Sequence, residues 1–174
     1  MDPLGYNLSM RFSLGFFPAI FLAVLLAAAP AATAESPECH PTPEDAMGPF
    51  YRPEAPFRSK VGEGYLLTGR VLSAADCRPL PRAAIEFWLV GPQGAYDDAH
   101  RATVFASLGG WYRFESNFPP PYGSRPPHIH IRVTAPGHRE LVTQHYPEPG
   151  TGSGRFDLVL RPEAGATNPP AGRN

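Results

Sequence analysis

The chain has 174 residues and a formal net charge of −1, from 15 Lys and Arg residues against 16 Asp and Glu residues. This length suits one domain with a buried core, and the balanced charge excludes the general basicity that is typical of nucleic-acid-binding domains. We therefore expect no nucleic-acid partner.

The N-terminal segment has the pattern of an export signal. An apolar run over residues 12–34 follows Arg11 and ends in Ala-Thr-Ala, a small-x-small pattern at which signal peptides are cleaved. We predict a signal peptide over residues 1–34, a periplasmic or secreted location, and no membrane association after cleavage. The alternative is a membrane anchor, but prolines and an alanine-rich end interrupt a span that would need about 20 strongly apolar residues.

Export affects how the two cysteines, Cys39 and Cys77, are interpreted. A thiol pair outside the cytoplasm is more often oxidised than catalytic or metal-bound, so we predict a disulfide between them. In the loop-entropy description, closing this loop would stabilise the fold by about 4 kcal/mol. The alternative is a lipid-anchored cysteine, for which the preceding Pro-Glu pair is a poor context.

The rest of the chain has the pattern of β structure. Turn residues interrupt it every eight to twelve residues, and no stretch keeps a helical period. This spacing predicts an all-β fold, an antiparallel β-sandwich with long proline-rich loops. The predicted strands cover residues 65–72, 84–90, 102–107, 111–116, 128–133, 140–146 and 155–160.

The segments outside the predicted strands differ in composition. Residues 35–64 are rich in proline and aromatic side chains, and we expect them to wrap over the sandwich as an ordered loop. Residues 163–174 lack apolar side chains to bury, so they are predicted to be a flexible tail. One sandwich domain over residues 35–162 follows from these boundaries.

The predicted strand over residues 128–133 opens with two histidines. Side chains alternate along a strand, so His128, His130 and Arg132 lie on one face and three apolar side chains on the other. Two such imidazoles can reach one metal ion, although two half-exposed strand histidines are the plainer interpretation of this pattern alone. The two prolines just before the strand restrict its backbone and fix these side-chain directions, which favours a site.

Longer stretches resemble the intradiol ring-cleavage dioxygenases, the family of catechol 1,2-dioxygenase and protocatechuate 3,4-dioxygenase. The resemblance lies in the sequence GAY ending at Tyr96, eight residues after Trp88, and in PPPYGSRPPHIHIRV over residues 119–133. It extends to TPEDAMGPFYRPEAPFR over residues 42–58 and to GRVLSAADCRPLPRAAIEFW ending at Trp88. In all, it covers about residues 37–161.

The resemblance implies a non-haem Fe(III) centre bound by four side chains, with Tyr122 and His130 as the axial pair and Tyr96 and His128 in the plane. Phenolate is a hard anionic donor, and two of them favour ferric over ferrous iron. The implied reaction uses O₂ to cleave a catechol-type ring between its two hydroxyl-bearing carbons. Its product is a muconate-type diacid.

The resemblance also implies roles around the metal. Arg125 would lie beside the reacting ring carbon, where its positive charge meets developing negative charge. Gln144 would lie near Arg125, and Tyr122 would leave the iron as it takes a substrate proton. The residues predicted to contact substrate are Phe50, Tyr51 and Trp88.

Two other functions stay open at this level. A secreted β-sandwich module could bind a ligand or another protein without catalysis, since sandwiches have many functions. A zinc hydrolase could use the same histidines, although tyrosines are unusual zinc ligands. The sequence does not identify which substituents the substrate ring carries, and it does not show whether the protein forms a homo-oligomer. A carboxylated ring would need a cationic partner, for which Arg52, Arg58 and Arg132 are candidates.

Overall fold

The structure is a computed structural model in which residues 39–165 are described. The predicted signal peptide over residues 1–34 lies outside these residues, as does the predicted tail beyond residue 165. Within residues 39–165, no helix has the length and apolar character needed to cross a membrane. The helical structure described there is a single 3₁₀ turn, Asp98–His100.

Eight strands form a β-sandwich, which confirms the predicted all-β class. The first sheet contains β4, β1, β7 and β8, with β1 at its centre, and the second has the order β3-β2-β5-β6. The strands are β1 (Tyr65–Ser73), β2 (Ala84–Leu89), β3 (Arg101–Phe105), β4 (Trp111–Ser116), β5 (Ile129–Thr134), β6 (Leu141–His145), β7 (Ser153–Arg155) and β8 (Leu158–Leu160).

The core lies between the two sheets and is built from the alternating apolar positions of the strands. Ile129, Ile131 and Val133 of β5 are fully buried there. Phe87 of β2 stacks on Phe114 of β4 with ring centroids 4.2 Å apart, which joins the two sheets. The predicted alternation along β5 is therefore confirmed, and it leaves the histidines on the outer face.

The sandwich differs from the prediction in its first sheet. The second sheet is antiparallel throughout, but β7 and β8 both run parallel to β1, so the first sheet is mixed. The segment over residues 155–160 was predicted as one strand and is two. At the break, the Asp157 carboxylate accepts the backbone N–H of Arg70 at 2.9 Å in place of a backbone carbonyl. The chain also passes so close to Gly69 that a Cβ there would lie 2.0 Å from the Phe156 carbonyl oxygen.

Residues 39–58 form an ordered segment, here called the strap, that crosses the outer face of the second sheet. At one edge, Asp45 N–H donates to the Val142 carbonyl of β6 at 2.9 Å. At the other edge, Thr103 of β3 donates its hydroxyl to the Ala55 carbonyl at 2.8 Å. Over its described part, the loop predicted for residues 35–64 therefore wraps over the sandwich as expected.

A disulfide ties the start of the strap to the sandwich. Cys39 is bonded to Cys77, in the loop between β1 and β2, with a Cα–Cα distance of 5.3 Å. The predicted pairing is confirmed. The strap is thus fixed covalently at its first described residue and by hydrogen bonds at both edges of the second sheet.

Candidate metal centre

Three potential ligand atoms meet on the outer face of the second sheet, beneath the strap. The Tyr96 hydroxyl oxygen lies 3.1 Å from Nε2 of His128 and 3.2 Å from Nε2 of His130. His128 lies just before β5 and His130 is its second residue. Both imidazoles are 2% exposed. The structure therefore brings Tyr96 within hydrogen-bonding distance of both predicted histidine ligands.

The imidazole of His128 is oriented by the proline-rich turn before β5. Its Nδ1 donates to the Pro126 carbonyl at 2.7 Å, which places the ring proton on Nδ1 and leaves the Nε2 lone pair facing the cleft. A backbone acceptor on the far nitrogen is the usual way in which a metal-binding histidine is fixed. The stiff turn predicted from the two prolines thus also sets the tautomer of His128.

The imidazole of His130 lies between Trp88 and the strap. Trp88 is its antiparallel partner on β2, and the two rings stack with centroids 4.9 Å apart and 4° between their planes. On the strap side is Gly48, with φ of +72°, where a Cβ would lie 3.0 Å from Cε1 of the His130 ring. Glycine is needed there both for its backbone conformation and for the space that the imidazole fills.

Tyr122, the fourth predicted ligand, lies at the mouth of the cleft. Its ring packs edge-on against Tyr96, with centroids 5.3 Å apart, and against Phe50, at 5.4 Å. Tyr122 and Arg125 exchange backbone hydrogen bonds across a two-residue turn, in which Gly123 has φ of +57°. The Tyr122 side chain lines the same cleft as both histidines, and its hydroxyl makes no hydrogen bond to any of residues 39–165.

Burial keeps His130 and Tyr96 neutral. Burial, and then the neighbouring His128 and Arg125, lower the pKa of His130 to about 4. Burial likewise raises the pKa of Tyr96 to about 12. A neutral imidazole is the form that binds a metal, whereas a phenol bound as phenolate needs a nearby multiply charged cation to lower its pKa.

The donor set fits a hard, multiply charged cation. In the described part of the chain, no group of three or more His, Cys, Asp or Glu side chains could hold a metal ion, so a centre here depends on the tyrosines. Nδ1 of the buried His130 also has no hydrogen-bond partner among these residues. Its Nε2, which lies 3.2 Å from the Tyr96 hydroxyl, is the nitrogen that could coordinate a metal ion.

Arg125 lies in the same cleft and is held by Gln144. Its Nη2 donates to Oε1 of Gln144 at 2.9 Å, and Nε2 of Gln144 donates to the Ala46 carbonyl of the strap at 2.5 Å. The structure thus places these two residues together, as the resemblance implies. Arg125 Nη2 also donates to the Tyr146 hydroxyl at 3.0 Å, a contact that the sequence analysis missed.

The three residues predicted to contact substrate are not all in the cleft. Phe50 lines it and stacks on Tyr96 with centroids 4.4 Å apart. Trp88 instead lines a second hollow, which shares Phe50 and Tyr96 with the cleft. The structure does not bring Tyr51 to either hollow, because its ring packs on Trp88 at 5.1 Å and its hydroxyl donates to Glu86 at 3.0 Å.

The three candidate cations for a carboxylated ring also lie outside the cleft. Arg52 lines the second hollow. Arg58 donates to backbone carbonyls around the 3₁₀ turn, including that of Arg101 at 2.9 Å. Arg132 is ion-paired with Glu86 at 2.6 Å. Among the described residues, Arg125 is therefore the one charged side chain that lines the cleft.

Comparison with known proteins gives relatives that are named as 1,2-dioxygenases, although no family model matches the chain. A catechol 1,2-dioxygenase of Pseudomonas sp. (strain EST1001) is 32% identical over 150 residues, which is 66% of this chain and 49% of the relative. A hydroxyquinol 1,2-dioxygenase of Nocardioides simplex is 29% identical over 74% of this chain and 56% of the relative. The chain spans about half the length of the curated relatives it matches.

Solved structures show the same similarity. The dioxygenase domain of a dioxygenase carbohydrate-binding protein fusion from Streptomyces sp. SirexAA-E aligns with a TM-score of 0.63 and 29% identity, covering 71% of this chain and 100% of that chain. An intradiol ring-cleavage dioxygenase from Tetranychus urticae aligns with a TM-score of 0.65 and 19% identity, over 71% of this chain and 96% of that one. The second match, at its lower identity, supports the fold alone.

Proposed function

Because this chain belongs to the intradiol ring-cleavage dioxygenase family, we propose that it is an Fe(III)-dependent dioxygenase that uses O₂ to open catechol-type rings. Cleavage falls between the two hydroxyl-bearing carbons and gives a muconate-type diacid. The observation that carries the proposal is the meeting of the Tyr96 hydroxyl with both histidine Nε2 atoms, within 3.2 Å, in a cleft that Arg125 also lines.

The metal in this proposal is held by Tyr96, Tyr122, His128 and His130. When bound, ferric iron would supply a chelation point for both catechol oxygens and make the ring reactive towards dioxygen. His128 is already oriented by its hydrogen bond to Pro126, and His130 by its stacking on Trp88. Ligands fixed in this way bind a metal with little reorganisation.

Tyr122 is the ligand best placed to give way to the substrate. It is 36% exposed and its hydroxyl has no hydrogen-bond partner among residues 39–165, so movement of its ring breaks no such bond. As a catechol binds, the Tyr122 oxygen accepts a proton from one substrate hydroxyl. Arg125 supplies fixed positive charge beside the ring, and the ring of Phe50 excludes water from one side.

The cleft favours uncharged rings. Arg125 is its one charged side chain among the described residues, and in this proposal its positive charge serves the reacting part of the ring. A ring carboxylate would therefore lose its hydration without gaining a cation of its own. We infer that catechol and neutral substituted catechols bind better than a carboxylated catechol.

An exported location is part of the proposal. It is supported by the apolar N-terminal run that ends in Ala-Thr-Ala and by the Cys39–Cys77 disulfide, because such bonds persist in oxidising compartments. Mass spectrometry of the mature protein from the culture supernatant and from periplasmic extracts tests it. A mature N-terminus near residue 35 is expected, and an intact N-terminus on a cytoplasmic protein would contradict it.

The enzymatic proposal is tested by colour and oxygen uptake. Protein loaded with ferric iron should show a broad visible band from tyrosinate-to-iron charge transfer, which changes when a catechol is added. Oxygen uptake is then measured with catechol, hydroxyquinol, chlorinated catechols and protocatechuate. Uptake with the neutral rings and little with protocatechuate is expected. A colourless protein that stays inactive after iron loading would overturn the proposal, and ligand binding without uptake would favour the non-catalytic module.

A further inference from the structure

Arg125 is held by more than Gln144, and the additional contacts come from residues with no role so far. We propose that Tyr146, supported by Asp45 of the strap, is a positioning residue that fixes the Arg125 guanidinium for the ring-opening reaction. This inference rests on the proposed function, because it concerns how that same cleft is prepared. It assigns the strap a part in catalysis beyond covering the sheet.

The contacts form a short chain of hydrogen bonds from the strap to the cleft. The Tyr146 hydroxyl lies 2.8 Å from Oδ2 of Asp45, 3.0 Å from Nη2 of Arg125 and 3.2 Å from Oε1 of Gln144. Its ring also lies beside the imidazole of His128, with centroids 6.2 Å apart. Tyr146 is thus next to both the arginine and a proposed metal ligand.

The direction of each bond follows from the number of available protons. A phenol has one proton to donate and lone pairs with which to accept. The Asp45 carboxylate only accepts, and it lies closer to the hydroxyl than Gln144 does, so the phenol donates to Asp45. The lone pairs of the Tyr146 oxygen then accept from Arg125. With Asp45 in place, Tyr146 therefore acts as an acceptor towards the guanidinium.

Asp45 is itself held in place by the strap. Its Oδ1 accepts the backbone N–H of Ala46 at 2.6 Å, and its own N–H donates to the Val142 carbonyl of β6 at 2.9 Å. The carboxylate is therefore fixed relative to the strand that ends just before Tyr146. Three separate parts of the chain meet at this point: the strap, the end of β6 and the turn that carries Arg125.

The arrangement determines which Arg125 donors face the substrate. Nη2 is shared between Gln144 and Tyr146, whereas Nε and Nη1 have no hydrogen-bond partner among residues 39–165. A guanidinium fixed through one nitrogen keeps its other donors in a defined plane. Because charge stabilisation depends on donors that are already oriented when charge develops, this tether should affect turnover more than substrate binding.

A purely structural role for Tyr146 would have different consequences. The residue is 42% exposed, and hydrogen bonds at such a position contribute little to folding stability. A structural role would appear as a lower Tm or lower iron content, with turnover following these losses. A positioning role changes kcat while Tm, iron content and substrate affinity stay close to those of the wild type.

The test compares Tyr146→Phe, Asp45→Ala and their double variant with the wild type, and Tyr112→Phe is the matched control. Tyr112 also donates its hydroxyl, to the Phe156 carbonyl, but in the first sheet. For each protein, kcat and KM for catechol come from oxygen uptake, and the catechol Kd from the visible band under anaerobic conditions. Tyr146→Phe should lower kcat about 10-fold, the effect of one charge-assisted hydrogen bond, with Kd and iron content within about twofold of the wild type.

The other variants sharpen the result. Asp45→Ala should lower kcat less than Tyr146→Phe, and Asp45→Asn should restore most of it because the amide oxygen still accepts from the phenol. The double variant should be no worse than Tyr146→Phe alone, since both changes break one chain of contacts. Tyr112→Phe should lower Tm and leave kcat unchanged. A Tyr146→Phe enzyme with wild-type kcat, or with loss explained by lower iron content, would overturn the proposal.

A readout that does not depend on activity separates this inference from the proposed function. In iron-free protein, NMR of the Arg125 Nε–H group reports whether the guanidinium is held, and Arg125→Lys assigns the signal. The signal should broaden or exchange faster in Tyr146→Phe, and an unchanged signal would overturn the inference. Absence of oxygen uptake by the wild type would instead overturn the proposed function.

Discussion

Trp111 lies on the outer face of the first sheet and Trp88 on that of the second. Trp88 is nevertheless only 2% exposed, whereas Trp111 is 49% exposed. Each faces a basic side chain across an antiparallel pair: His130 for Trp88 and Arg70 for Trp111. The strap covers Trp88, and its neighbour is a buried imidazole at 4.9 Å. Trp111 packs against the guanidinium of Arg70, 5.0 Å from its ring centroid, at the surface.

The difference shows what the strap adds to a β-sheet face. Both sheets bury their inner faces in the same core, and both place aromatic and basic residues on their outer faces. Only beneath the strap are these residues removed from water, which keeps the imidazole of His130 neutral. The covered face can therefore hold the proposed metal centre, whereas the exposed face of the first sheet carries side chains paired at the surface.

The largest expected effect comes from removing a proposed metal ligand from the covered face. His130→Ala deletes one of the two Nε2 donors that meet the Tyr96 hydroxyl. We expect iron affinity to fall by at least about 100-fold and oxygen uptake to be lost. Metal analysis after dialysis and oxygen uptake with catechol measure these two effects.

The control for that variant is a histidine outside the site. His138 is also buried, but its Nε2 lies 3.0 Å from the Ser73 hydroxyl of β1. His138→Ala should lower the free energy of unfolding by about 1–3 kcal/mol and leave the iron content unchanged. Equal loss of iron in both variants would show that the covered face holds no metal of its own.

The next effect concerns the anchor of the strap. Replacing both Cys39 and Cys77 by serine removes the disulfide at the start of the strap. Loss of this cross-link should lower the free energy of unfolding by about 2–4 kcal/mol, measured by urea unfolding. The iron content should change less, because hydrogen bonds at Val142 and Thr103 still hold the strap on both edges of the sheet. Complete loss of iron from a folded variant would contradict this expectation, because it would show that iron binding depends on the disulfide.

A smaller change tests the contact between strap and imidazole. Gly48→Ala places a methyl group 3.0 Å from the His130 ring, at a backbone φ of +72°. The backbone strain should cost about 1 kcal/mol, and displacement of the imidazole should weaken iron binding further. Gly150→Ala is the matched control, since its φ is +81° and an added Cβ would meet nothing within 4 Å. The two variants should lose similar stability, and only Gly48→Ala should lose iron affinity.

The sequence predicts those features of the two sheets that depend on the local pattern of residues. The alternation along β5 separates the histidines from the core, and export implies the Cys39–Cys77 pair. The break between β7 and β8 is not local, because it depends on Asp157 replacing a backbone acceptor for Arg70 on another strand. The contact of Tyr146 with Asp45 likewise depends on how the strap aligns with β6, about 100 residues along the chain.

The smallest expected effect is on the exposed face. The guanidiniums of Arg70 and Arg155 lie 5.0 and 5.4 Å from the centroid of the Trp111 ring. Trp111→Phe reduces the aromatic surface that they contact. Exposed cation–π contacts contribute about 0.5–1 kcal/mol, and phenylalanine keeps part of that, so urea unfolding should show a loss below about 0.5 kcal/mol. Trp88→Phe should also keep the fold but reduce the stacking on His130, and so weaken iron binding. If the two variants bind iron equally well, the stacking of Trp88 on His130 does not contribute to iron binding.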